Sequence, residues 1–151
     1  MKKIILRNSP LTVMVDDEDF ARLQKISWAV DKYGYAYGRF EGEHVLMHRF
    51  ILWLFAGDKT QTDHCDHNRL NNQKENLRTC TSAQNAANRP KRKNGTNSHK
   101  GVSFSKHFNK WYARIIREGR VVFSGCYDFE FEAIEAYREA VIRIDGEFAC
   151  F

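Results

Sequence analysis

Short apolar runs separated by turn residues divide this chain of 151 residues into three segments. In the first, Lys3–Leu6 and Leu11–Val15 read as strands. Asp16-Asp17-Glu18-Asp19 then opens a short helix through Leu23, because acids suit a helix N-terminus. Trp28–Val30 and Tyr35–Phe40 form a predicted hairpin around Lys32-Tyr33-Gly34. His44 to Phe55 is apolar almost all round and predicts a buried passage from strand to helix. Trp28, Tyr33, Tyr35, Tyr37 and Phe40 are expected as core or hairpin-face aromatics.

The second segment is polar. Thr62–Cys65 and Leu77–Cys80 read as two short strands joined by an Asn-rich loop, in which side chains compete for backbone hydrogen bonds. Thr81 and Gln84 have capping-box spacing, so a helix follows and ends before Pro90. The third segment predicts strands over Gly101–Lys106, Lys110–Ile116 and Arg120–Tyr127, with a tight turn at Glu118-Gly119. Apolar residues at Ala133, Ala136, Tyr137, Ala140 and Ile144 have helical spacing, and Gly146 suits a helix stop. The expected fold class is α+β, with boundaries at 1–57, 58–89, a basic linker 90–98, and 99–151.

Charge sharpens this picture. The chain carries 24 Lys and Arg against 19 Asp and Glu, a net +5. The stretch from Arg89 to Arg120 holds +9 by itself, so the rest of the chain sums to −4. Such segregation suits a polyanionic partner. Acids at Glu132, Glu135 and Glu139 line the predicted C-terminal helix, so the sheet rather than the helix is expected to meet that partner. The four cysteines form no CxxC pair, the N-terminus has no secretory pattern, and the longest apolar run is too short for a bilayer. A cytoplasmic protein with reduced thiols and no membrane association is expected, with no obligate protein partner inferred.

The second segment concentrates the chemistry. Asp63-His64-Cys65-Asp66-His67-Asn68, Asn76-Leu77-Arg78 and Gln84-Asn85 bring a histidine, carboxylates and amides into 23 residues. Hydrolysis of a phosphodiester needs a base for water, a cation for the developing charge, and fixed geometry. His64 titrates in the right range to be the base. Asp63 and Asn85 offer the oxygen donors that suit Mg²⁺ better than Zn²⁺. A structural zinc site from Cys65, Cys80, His64 and His67 is the competing use of these side chains, although its spacing fits no standard pattern.

These segments resemble the His-Asn-His (HNH) nuclease family in its phage and homing-endonuclease branch. That resemblance implies a ββα-metal motif, with His64 as general base, Asn76 bracing the loop of the catalytic segment, and Asp63 and Asn85 holding Mg²⁺ or Mn²⁺ ahead of zinc. His67 stands where the family has glycine, so the loop is expected to bend differently. Met47-His48-Arg49 resembles the Leu-His-Arg segment that precedes the motif in such phage proteins, and His48 is read as a buried structural histidine.

The third segment resembles the plant ethylene-response-factor (Apetala-type) DNA-binding domain. The matching pieces are Lys100-Gly101-Val102, Trp111-Tyr112-Ala113-Arg114, Gly125-Cys126-Tyr127 and Glu132-Ala133. The resemblance implies a three-stranded antiparallel sheet packed on one C-terminal helix and laid in the major groove. Alternation puts Trp111, Ala113 and Ile115 toward the helix, and Tyr112, Arg114 and Ile116 toward DNA. Lys100, Ser103, Ser105, Lys106, Tyr112 and Arg114 are the expected contacts, with Arg89, Lys91, Arg92 and Lys93 on phosphates. The expectation is a divalent-metal-dependent endonuclease acting on double-stranded DNA. If phage-encoded, it would work in the host-cell cytoplasm. The alternative is a non-catalytic DNA-binding regulator that retains a nuclease scaffold.

Overall fold

A computed structural model describes residues 1–91 and 99–151. The chain divides into two compact units, Met1–Thr81 and Ser82–Phe151. The expected segment 58–89 is therefore shared between them. A two-stranded hairpin cannot build its own core, and the hairpin of that segment is absorbed into the first unit.

In the first unit, β1 (Lys2–Ile5) pairs antiparallel with β2 (Thr12–Val15). Helix α1 (Asp17–Leu23) follows, with three acids in its first turn. β3 (Ala29–Val30), β4 (Ala36–Phe40) and β5 (Glu43–Leu46) make an antiparallel sheet with β4 in the middle. Helix α2 (Met47–Ile51) continues directly from β5, as the apolar passage from His44 predicts. β6 (Gln61–His64) and β7 (Leu77–Cys80) form the hairpin of the polar segment.

Val13, Val15, Leu23, Trp28, Met47 and Ile51 are almost wholly buried in one core, and Leu77 of β7 joins them. Leu77 is one anchor of the polar segment. The other is β2: Met14 N–H donates to Leu70 O at 2.8 Å, and Asn72 N–H donates to Met14 O at 2.8 Å. Arg22 of α1 also reaches α2, donating to the carbonyls of Phe50 (3.2 Å) and Ile51 (3.0 Å) while it pairs with buried Asp19. That links α1 to the last turn of α2, where carbonyls lack intrahelical donors.

The second unit opens with helix α3 (Ser82–Ala87). β8 (Val102–Ser105), β9 (Lys110–Arg117) and β10 (Arg120–Tyr127) form an antiparallel sheet with β9 central. Helix α4 (Glu130–Asp145) packs on it. Val102, Ala113 and Ile115 meet Ala133, Tyr137, Ala140 and Val141 in the second core. Gly101 is forced twice: its φ is +69°, and a Cβ there would lie 2.0 Å from the Tyr137 ring. Among the described residues, no helix is long and apolar enough to cross a membrane.

Candidate active site

The site is built on the loop between β6 and β7. Asp66 organises that loop. Its Oδ1 accepts from Asn68 N–H (2.8 Å) and from Asn76 Nδ2 (2.8 Å), and its Oδ2 accepts from Asn71 Nδ2 (2.8 Å). Burial alone would raise the Asp66 carboxyl, but these donors outweigh it and hold its pKa below the ordinary value. Asn76 closes the loop from the other side. Its Oδ1 accepts from Asp66 N–H at 2.9 Å, its Nδ2 also donates to Asn71 O at 2.8 Å, and its own carbonyl accepts from Cys65 N–H at 2.9 Å. Asn76 touches Asp66, Asn71 and Cys65, which is the geometry of a brace.

His67 takes φ = +62° in this loop. That is the left-handed conformation a glycine adopts without strain.

His64 ends β6 and is 5% exposed. Burial lowers its pKa; the bond to Asn72 and the charges of Asp66 and Asp63 pull it back up, and Arg69 pushes it down. The net direction is downward, so the ring is neutral at neutral pH and can accept a proton. Its Nε2 lies 3.3 Å from Asn72 Oδ1. Asn72 is completely buried and its Nδ2 donates to Arg69 O at 3.2 Å. Turning the amide over would set oxygen against that carbonyl oxygen, so Oδ1 belongs on the histidine. Sequence reasoning gave Asn72 no role. The only signal was an asparagine after Leu70 in a segment that must cross β2, and the parallel bridge between Met14 and Asn71 is a tertiary fact.

Two further rings enclose His64. His48 of α2 lies edge-on to it at 5.2 Å, and Tyr35 is 5.2 Å from His48 and 6.0 Å from His64. The Arg69 guanidinium sits 4.6 Å from the centre of the Tyr35 ring. Burial, then the neighbouring His64 and Arg49, push His48 down to about 3, against a weaker pull from Asp31. His48 is thus a buried neutral histidine packed on the candidate base.

Asp63 faces Arg78 directly across the hairpin, and its Oδ2 accepts from Arg78 Nη2 (2.9 Å) and Nε (3.2 Å). Both side chains are largely buried. A carboxylate held from one side by an arginine is a pre-oriented oxygen donor, and that chemistry fits a hard cation. Asn85 lies on α3, in the second unit. The zinc quartet is not assembled: among the described residues no three His, Cys, Asp or Glu side chains are grouped to hold a metal, and Cys65 points to solvent.

An HNH endonuclease family model matches residues 45–87, from β5 through α3. An uncharacterized HNH endonuclease of Acanthamoeba polyphaga mimivirus is 31% identical over 131 residues, covering 84% of this chain and 67% of its own. The chain belongs to the HNH endonuclease family. It is therefore a nuclease with a DNA substrate, and HNH nucleases in general use divalent metals. No solved structure matches it.

In the second unit, register and burial separate the two faces of the sheet. Ala113 and Ile115 are buried against α4, whereas Arg114 and Ile116 are exposed. Ser103, Tyr112 and Cys126 lie side by side across the three strands on the open face. The Lys106 and Ser105 positions lie at its edge. Lys100 differs from expectation. Its ammonium donates to the carbonyls of Ala87 (2.8 Å), Arg89 (2.7 Å) and Cys150 (3.1 Å). Those bonds occupy its three donors, so Lys100 ties the end of α3 to the C-terminus and leaves the DNA-contact set. Arg89 and Lys91 are near this anchor in sequence, while Arg92 and Lys93 lie outside the described residues.

Proposed function

We propose that the chain is a divalent-metal-dependent endonuclease of phage or homing type that hydrolyses a phosphodiester of double-stranded DNA with His64 as general base. The observation that carries this is the setting of His64: buried, neutral, fixed at one nitrogen by Asn72, and adjacent to an oriented carboxylate at Asp63.

Asn72 Oδ1 cannot donate, so His64 Nε2 carries the hydrogen and Nδ1 keeps the lone pair that takes the proton from water. Asn72 and the rings of His48 and Tyr35 hold the imidazole in one orientation, which cuts the entropy lost on reaching the reactive geometry. Asn76 and Asp66 fix the loop that follows the base. A bound Mg²⁺ or Mn²⁺, held by Asp63 and Asn85, would supply neutralisation of the phosphoryl and leaving 3′ oxygens.

The second unit would act as a tether of the ethylene-response-factor type. Its open sheet face would use Ser103, Ser105, Lys106, Tyr112 and Arg114 against the groove, with Arg89, Lys91, Arg92 and Lys93 on phosphates. Holding the nuclease unit near its target raises the local concentration of the scissile bond. The test is nicking of supercoiled plasmid in Mg²⁺ or Mn²⁺, with a chelator control. Metal-dependent conversion to open circles supports the reading. Plasmid left intact at all metal concentrations overturns it.

A further inference from the structure

The β3–β4–β5 sheet of the first unit has a face that the hydrolytic chemistry does not use. Tyr37 pairs with Leu46 and Arg39 with His44, so these four side chains share one side. Gly38 and Val45 point the other way, toward the core. A Cβ at Gly38 would lie 2.7 Å from Ile26 and 3.1 Å from Trp28, so only glycine lets the sheet sit so close to that core. On the outer side the rings of Tyr37 and His44 stack at 4.9 Å and 22°. Arg7 joins them from the chain after β1, where its backbone N–H is held by Trp28 O at 2.9 Å. Arg7, Tyr37, Arg39 and His44 line one open cavity of about 390 Å³.

Both arginines are exposed, and among the described residues no acid pairs with either. Two unpaired guanidinium groups beside a flat aromatic stack suit phosphate oxygens and sugar edges. The face is also continuous with the candidate active site. Tyr37 and Arg39 alternate along β4 and lie on the same side, and Tyr35 immediately precedes that strand. Tyr35 contacts His64 at one end of the row and Arg39 stands at the other. Four residues of strand span roughly 13 Å, which covers about four nucleotides of one duplex strand.

We infer that the outer face of the β3–β4–β5 sheet, through Arg7, Tyr37, Arg39 and His44, binds the phosphate backbone of double-stranded DNA flanking the scissile bond. This rests on the reading of His64 as the catalytic centre, and it gives the nuclease unit a DNA grip independent of the second unit. Arg7 and Arg39 hold phosphates, while the Tyr37–His44 stack forms the wall of the track. None of the four touches the reacting atoms.

The experiment measures duplex DNA affinity of the full chain against salt concentration, in a His64→Ala background so that binding is read without cleavage. Each phosphate contact contributes about 0.9 to the slope of log affinity against log salt. Arg7→Ala with Arg39→Ala should make the slope shallower by about 2 and weaken binding at low salt, while Lys3→Ala, on β1, leaves both unchanged. Both arginines are exposed, so the variants fold, as a thermal melt checks. Hydroxyl-radical footprinting should show protection lost on the nucleotides flanking the cut, with the second unit's footprint retained. An unchanged slope, or a slope change equal to that of Lys3→Ala, overturns the inference. Binding to single strands alone also overturns it. Because no cleavage is measured, none of these outcomes depends on whether His64 is the base.

Discussion

Replacing Asn76 by alanine removes three side-chain hydrogen bonds at once: one accepted from Asp66 N–H and two donated, to Asp66 Oδ1 and Asn71 O. The residue is 6% exposed, so water does not replace these bonds freely. A net hydrogen bond contributes about 0.5–1.5 kcal/mol, and a buried group left unpaired costs more. The three are not additive, because two share Asp66. The expected loss is roughly 2–3 kcal/mol. Urea denaturation should show it as a lower midpoint at unchanged slope. A double-mutant cycle with Asp66→Ala should give a coupling of about 1 kcal/mol or more. Asn76→Asp adds a second charge beside Asp66 and keeps no donor at neutral pH. It should be worse than alanine there, with the gap closing as pH falls through the carboxylate range. A loss below about 0.5 kcal/mol, or no coupling to Asp66, would refute the assignment of Asn76 as the brace of this loop.

Three further outcomes follow from the geometry. Gly101→Ala meets both a positive φ and the Tyr137 ring, so it should cost more than about 2 kcal/mol by thermal melt; a neutral effect would mean that the contact with α4 is slack. Stability should fall with acid through His48, whose folded pKa is pushed down to about 3 from 6.5. The unfolded chain then binds the extra proton between those values, so this contribution is whole above about pH 6.5 and is lost as pH drops toward 3. His48→Leu should flatten that part of the stability profile, and an unchanged profile would contradict it. Nitrogen NMR of the ring should show His64 protonated at Nε2 in the wild type and a mixture of tautomers in Asn72→Ala; a wild-type ring protonated at Nδ1 would remove Asn72 from the account.

Much of the second unit was legible because its signals are local. Alternation from Trp111 assigns Ala113 and Ile115 to the core and Arg114 to the open face, and the strand Arg120–Tyr127 has the expected bounds. The helix runs one residue beyond the expected Ile144, to Asp145, whose carboxylate pairs with Arg117. Lys100 was misread for the opposite reason. A lysine in a basic window looks solvated, and only the meeting of Ala87, Arg89 and Cys150 carbonyls reveals its job. In the first unit, the order strand, loop, strand was visible in Asp63–Cys80. The attachment of that loop to β2, which buries Asn72 and turns it onto His64, was not. Its partner lies more than fifty residues away, and no local pattern encodes that distance. The same holds for the division at Thr81, which depends on Leu77 entering the first core.

In the proposed reaction the His64 imidazole takes the proton from the attacking water. Single-turnover cleavage of an end-labelled duplex by His64→Ala, at saturating Mg²⁺ and with DNA affinity shown to be unchanged, tests it most directly. The rate should fall at least about 100-fold below wild type. A variant that cuts within a few-fold of wild type would contradict it.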